Sequence, residues 1–135
     1  MSYISAALIH RIGRRGASLL FLALLDVVYA LSLLGAPPET RASPGIAFLM
    51  LLLPLPVWAA VWGAVGALCL VQAFLRTDRM AFAAASLLKV AWGTVYLLGW
   101  ALGDVPRGYV TATIWLGFAA WVAIISGWRE PAQGA

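Results

Sequence analysis

The sequence contains few of the residues on which catalysis and metal binding depend. Only 10% of its 135 residues are charged, and it has a single histidine and a single cysteine. One cysteine excludes an intramolecular disulfide and a multi-cysteine metal site, and Cys69 lies in an apolar run that predicts a small buried hydrophobe. No Ser/His/Asp set, phosphate-binding loop or carboxylate pair can be assembled. We therefore predict that the protein is not an enzyme and has no cofactor-binding or metal site.

Apolar residues dominate what is present. They make up 64% of the chain, whereas soluble domains are about half apolar and about a quarter charged. Such a composition is typical of a chain that lies in the lipid bilayer. A helix satisfies every backbone amide and carbonyl where water is absent, and the short alternating segments of a membrane barrel are missing. The sequence therefore predicts an all-α, polytopic membrane protein.

Four apolar runs are long enough to cross a hydrocarbon core, which needs about 20 residues per helix. Segments rich in proline, glycine and charge separate them. Two short turns then make consecutive spans antiparallel neighbours, so we expect two hairpins. The predicted parts are a basic cytoplasmic or interfacial lead-in (1–16), spans at 17–35, 57–75, 80–102 and 110–128, and a cytoplasmic tail (129–135).

The stretch from 46 to 56 is apolar but contains Pro54 and Pro56. A proline removes a backbone donor and clashes with the preceding turn, so we expect the second span to begin near Val57. Three alternatives remain for the residues before it: an interfacial helix, a re-entrant helix, or a kinked extension of the second span.

The distribution of arginine predicts the orientation. By the positive-inside rule the arginine-rich side of the membrane is the cytoplasmic one. We therefore expect the chain to lie in the inner (plasma) membrane of the cell with both termini in the cytoplasm. Aromatic residues at span ends are typical of the membrane boundary. The cytoplasmic arginines are Arg11, Arg14, Arg15, Arg76, Arg79 and Arg129, against Arg41 and Arg107 outside, and the outer aromatics are Trp58, Trp100, Tyr109 and Trp115. This clustering at span ends does not indicate nucleic-acid binding.

Two opposite charges lie inside the predicted spans. Asp26 is as far into the first span as Lys89 is into the third, and both spans cross in the same direction, so the two side chains are expected at similar depth. A lone charge at mid-membrane costs on the order of 3 kcal/mol, which favours pairing. We predict an Asp26–Lys89 ion pair. Two functional roles are open: Asp26 binds a proton or cation, or the pair breaks during a conformational change. The alternative is a buried pair that only fixes which helices touch.

Helical spacing predicts two further surfaces. Tyr29 shares a helix face with Asp26, and Trp92 and Tyr96 share one with Lys89, so these residues are candidates for a polar and aromatic interior face. Small residues repeated every four positions allow close helix approach and self-association. That candidate packing face consists of Ala59, Gly63 and Ala67.

Five segments together cover most of the chain: IGRRGASLLFLALLDVVYALSLLG, VWAAVWGAVGALCLVQAF, DRMAFAAASLLKVAWGTVYLLGW, PRGYVTATIW and GWREP. In its overall pattern of such segments the chain resembles the small four-span membrane proteins of actinobacterial phages and prophages, some of which are grouped as mycobacteriophage holins. The resemblance implies a protein that accumulates in the host inner membrane and oligomerises into lesions that release or activate a lysin.

Two other functions fit the same sequence. The first is a non-catalytic accessory or scaffold subunit, whose partner would be another membrane protein. The second is a small proton-coupled transporter that uses Asp26, since small four-span exporters employ one membrane-embedded acid in the first helix. The holin-like hypothesis implies two kinds of partner: the lipid bilayer and further copies of the chain.

Overall fold

The computed structural model describes residues 3–75 and 77–127, with side chains described from residue 13 onward. All regular structure in these ranges is α-helical, which confirms the predicted all-α class. The predicted tail, with Arg129, and the side chains of Arg11 and Arg76 lie outside the described residues. The helices are α1 (Tyr3–Leu34), α2 (Pro38–Arg41), α3 (Pro44–Leu52), α4 (Leu55–Gln72), α5 (Arg79–Ala101) and α6 (Gly108–Ser126).

Four of these segments are long and apolar enough to cross a membrane. They are Gly13–Leu34 within α1 and the whole of α4, α5 and α6. The predicted number of helices that are long and apolar enough to span a membrane is therefore confirmed, and the finding supports a multi-pass membrane protein. The helix ends differ from the predicted ones by a few residues, most clearly at the first two spans.

The first helix begins before the predicted span. Gly13 has φ 62° and ψ −170°, a break that separates an N-terminal segment from the apolar helix. Glycine adopts a positive φ without steric cost, which explains why the interruption falls at this residue. Arg14 and Arg15 therefore lie in the long apolar helix, which begins at Gly13, four residues before the predicted start of the span at residue 17.

The second span begins at Leu55, two residues before the predicted start at Val57. Pro54 is the N-cap of α4, and Pro56 lies in its first turn. Backbone N–H groups in a first helical turn have no intrahelical partner, so a proline there removes no hydrogen bond. The prediction treated both prolines as helix breakers, whereas they mark the start of the helix.

Helix α3 is a separate element, because Leu53 after it is extended, with φ −145° and ψ 147°. Its nine residues span about 14 Å, too short to cross a bilayer. The helix packs against α5: the Tyr96 ring lies directly on the backbone of Gly45, and Phe48 lies beside Gly99. Trp58 Nε1 donates a hydrogen bond to Leu49 O over 2.9 Å, which ties α3 to α4.

The four long helices form two tightly packed pairs. Helix α1 packs along α4, and α5 packs along α6, while contacts between the pairs are fewer. Close approach depends on glycine in each pair. A Cβ at Gly66 would lie 3.3 Å from Ala23 O, and one at Gly93 would lie 3.2 Å from Ala112 O. We call α1–α4 the N-terminal half and α5–α6 the C-terminal half.

Buried apolar residues form two clusters, one toward each end of the bundle. The first cluster includes Leu33, Leu49, Trp62 and Trp92, and the second includes Leu19, Cys69, Phe82 and Val122. Both clusters draw residues from both halves. The level between them holds the only two charged residues that are fully buried among those described.

Candidate functional site

Asp26 and Lys89 form an ion pair at the centre of the bundle. Lys89 Nζ lies 2.9 Å from Asp26 Oδ1, and both side chains are 0% exposed. Asp26 comes from α1 and Lys89 from α5, so the pair joins the two halves. The structure thus places together the two residues that the sequence predicted as partners.

Aromatic rings surround the ammonium group. Lys89 Nζ lies 5.3 Å from the centroid of the Trp62 ring on α4 and 5.5 Å from that of Phe118 on α6. The negative face of an aromatic ring attracts a cation, and the attraction is stronger where water is excluded. All four long helices therefore contribute to the environment of one charge.

An aromatic cluster lies beside the ion pair. The Tyr29 ring centroid is 4.5 Å from that of Trp62 and 5.4 Å from those of Trp92 and Trp115. Tyr96 is at the edge, 6.3 Å from Trp92. The candidate interior face of Tyr29, Trp92 and Tyr96 is thus brought together, with additional rings that the prediction did not assign to it. The full cluster is Tyr29, Trp58, Trp62, Trp92, Tyr96 and Trp115.

Two polar atoms in this region are buried without a hydrogen-bond partner: Asp26 Oδ2 and Trp62 Nε1. A buried unsatisfied polar group costs roughly 1–3 kcal/mol, and more where it is charged. The centre of the bundle therefore retains one acceptor and one donor beyond the ion pair. Such a centre is unlike an apolar packing core.

Two predicted boundary aromatics point inward. Trp58 is buried against α3, and Trp115 is half-buried in the aromatic cluster, so their expected role as membrane-boundary anchors is not what their packing indicates. Trp100 and Tyr109 differ, because both are exposed and their ring centroids lie 5.2 Å apart. Position near the end of an apolar run does not reveal which way a ring points.

The candidate packing face is only partly used. Ala59 is buried and a Cβ at Gly63 would lie 3.8 Å from Ala30 Cβ, but Ala67 is exposed. The tightest contact with α1 is made by its neighbour Gly66. Helix α4 carries small residues on several faces, so a spacing of four residues does not identify the face that contacts α1.

A second ion pair, which the sequence analysis missed, lies at one end of the bundle. Arg15 donates hydrogen bonds to Asp78 from Nε over 2.8 Å and from Nη2 over 2.7 Å. Arg15 Nη1 also donates to Ser126 O at the end of α6 over 2.5 Å. Its guanidinium lies 4.8 Å from the centroid of the Phe82 ring. The prediction used Arg15 only as an indicator of orientation.

No three His, Cys, Asp or Glu side chains come together as a metal site requires within residues 13–75 and 77–127, whose side chains the structure describes. The site is thus a buried charge pair that joins two helix pairs in a multi-pass membrane bundle. No protein-family model, no curated protein and no solved structure matches this chain.

Proposed function

We propose that this chain is a holin-like protein, which self-associates in a bacterial inner membrane and permeabilises it without catalysing a reaction. The position of the Asp26–Lys89 pair carries the proposal. The pair joins the two halves where they meet, and it hides both charges while the halves stay together. Separation of the halves would expose Asp26 on the N-terminal half and Lys89 on the C-terminal half. Each half would then present a charged group beside the aromatic rings that it contributes to the cluster.

A single chain in the membrane is more stable with the Asp26–Lys89 pair formed, whereas an assembly of several chains can accommodate the separated charges. A lone charge exposed to hydrocarbon costs on the order of 3 kcal/mol, so one chain alone keeps its pair closed. Several chains can instead turn their polar surfaces toward a common water-filled space, where the charges remain hydrated. Accumulation in the membrane therefore favours opening by mass action.

The outer surface suits a protein that acts through helix faces in lipid. Large apolar side chains are exposed along all four spanning helices, as expected where the surroundings are lipid tails or other helices. They include Phe21, Leu24, Leu31, Val61, Leu87, Ile114 and Trp121. We further propose that both termini lie in the cytoplasm, on the arginine count given above.

The direct test is expression of the wild-type chain from an inducible promoter in a bacterium, with a potential-sensitive dye. Permeabilisation predicts sudden loss of the membrane potential after a period of accumulation. Unchanged potential and normal growth at verified high accumulation would overturn the proposal. Copurification of one stoichiometric membrane protein in that case would indicate the accessory or scaffold function.

A small proton-coupled transporter is the second candidate, favoured by one observation. Asp26 Oδ2 is buried and has no hydrogen-bond partner, so one oxygen of the carboxylate is not committed to Lys89. A transporter of this kind moves protons in exchange for solute without dissipating the potential. In proteoliposomes, solute added outside would enter in exchange for protons that leave, so the lumen would become more alkaline only when a substrate is added. A lesion-forming protein would instead release a trapped dye.

A further inference from the structure

The two ion pairs place α1 and α5 in one register. Arg15 and Asp78 are 63 residues apart in the sequence, and so are Asp26 and Lys89. Asp26 follows Arg15 by 11 residues, as Lys89 follows Asp78, which is about three helical turns or about 16 Å. The N-terminal half contributes a positive and then a negative charge, and the C-terminal half contributes the opposite order. The two halves are thus charge-complementary at two matched levels.

Each half has its own close packing. Gly66 lets α4 approach the backbone of α1 near Ala23, and Gly93 lets α5 approach the backbone of α6 near Ala112. Contacts between the halves are fewer than contacts within them. Separation of the halves would keep these two close contacts and would part Asp26 from Lys89.

An unpaired charge in the membrane needs a partner of opposite sign at the same depth. For Asp26 of a separated chain, the matching group is a Lys89, and a second copy of this chain carries one at that depth. The same holds for Arg15 and Asp78 at the end of the bundle. A second copy therefore presents every contact that the first has lost, in the same register.

We propose that copies of this chain exchange halves, so that the N-terminal half of one copy docks on the C-terminal half of the next. Asp26 then pairs with Lys89 of the next copy, and Arg15 pairs with Asp78 of the next copy. The contact is heterologous, so repetition closes into a ring or a reciprocal dimer when the rotation between copies allows. This inference rests on the proposed self-association and supplies the contact that joins the copies while they accumulate. The central charges stay paired in that assembly and face water only when this contact opens.

Charge reversal divided between two chains tests the exchange. Asp26→Lys gives a chain with two positive charges at the centre, and Lys89→Asp gives one with two negative charges. Neither chain can form the central pair alone, but an exchanged assembly of the two restores it. The readouts are accumulation of each chain in the membrane and the amount of a complex that carries both affinity tags. The chain with both substitutions is the control, because it restores the pair internally with reversed polarity.

We expect each single variant to accumulate at least fivefold less than the wild type, and coexpression to restore both chains in a mixed complex. Recovery of the doubly substituted chain without recovery of the coexpressed pair would overturn the exchange. If the doubly substituted chain also fails to accumulate, the exchange is tested instead by cross-linking of chains that keep both Asp26 and Lys89.

For cross-linking, Arg15→Cys and Asp78→Cys are placed in separate, differently tagged chains in a Cys69→Ala background. A short thiol-reactive cross-linker should join the two chains. The matched control mixes two differently tagged Arg15→Cys chains, because exchange places α1 of one copy beside α5 of the next, not beside its α1. Equal cross-linking in the two mixtures would overturn the proposal. This readout is independent of membrane potential, so it separates failure of exchange from failure of permeabilisation.

Discussion

The guanidinium of Arg15 and the carboxylate of Asp78 connect three parts of the chain at one end of the bundle. Asp78 is the N-cap residue of α5, but its side chain makes no capping hydrogen bond. Both of its carboxylate oxygens accept hydrogen bonds from Arg15 instead. Arg15 reaches at the same time to Ser126 O at the end of α6, where a cation is favoured by the helix dipole. One side chain from α1 thus positions the start of α5 and the end of α6.

Arg15→Lys should lower the free energy of unfolding by about 1–2 kcal/mol, since an ammonium cannot reproduce the two parallel hydrogen bonds of a guanidinium. An SDS titration of the purified protein in mixed micelles measures the change. Arg14→Lys is the matched control, because the Arg14 side chain is exposed, and it should be neutral. Equal effects at the two positions would show that the guanidinium geometry of Arg15 is unimportant.

Breaking the central ion pair from one side should be far more harmful than replacing both partners. Asp26→Leu or Lys89→Met alone leaves a buried charge unpaired and should cost about 3–5 kcal/mol of unfolding free energy. The doubly substituted chain should lie within about 1–2 kcal/mol of the wild type, or above it, since apolar replacement of a buried pair is often neutral or stabilising. Additive losses in the double variant, measured by the same titration, would contradict the pairing.

Gly66→Ala should destabilise the contact between α1 and α4. The added Cβ would lie 2.8 Å from Val27 Cγ2 and 3.2 Å from Val27 N, and a backbone atom can move only if the helices separate. We expect a loss of about 1–3 kcal/mol in unfolding free energy. Gly117→Ala is the control, because its Cβ would meet nothing within 4 Å, and it should be neutral or stabilising. A tolerated Gly66→Ala would mean that α1 and α4 are further apart than described.

Trp58→Phe should loosen α3 without unfolding the spanning helices. The substitution removes the hydrogen bond to Leu49 O, and the loss of this bond costs about 1 kcal/mol of stability. Hydrogen exchange in micelles should then be faster at the amides of α3 and unchanged in α6. Trp100→Phe is the comparison, since the Trp100 ring is exposed. Uniform acceleration over all helices would contradict a local role.

Hydropathy was sufficient to predict four spans, because burial in lipid requires long apolar runs whatever the packing. The Asp26–Lys89 pairing could be predicted because depth in the membrane constrains charges more than helix geometry does. The Arg15–Asp78 pair was missed, since residues near span ends can reach water and need no partner. Gly66 was missed because α4 has small residues on more than one face, and Trp62 because nothing in its spacing distinguishes it from an apolar neighbour.

The central claim is that the buried ion pair supplies the polar surfaces through which the chain permeabilises a membrane. The most direct test is to compare the membrane potential of bacteria that express either the wild type or the Asp26→Leu/Lys89→Met chain at equal accumulation. We predict that the wild type abolishes the potential and that the doubly substituted chain, with no charges at its centre, leaves it intact. Equal depolarisation by both chains would contradict the claim.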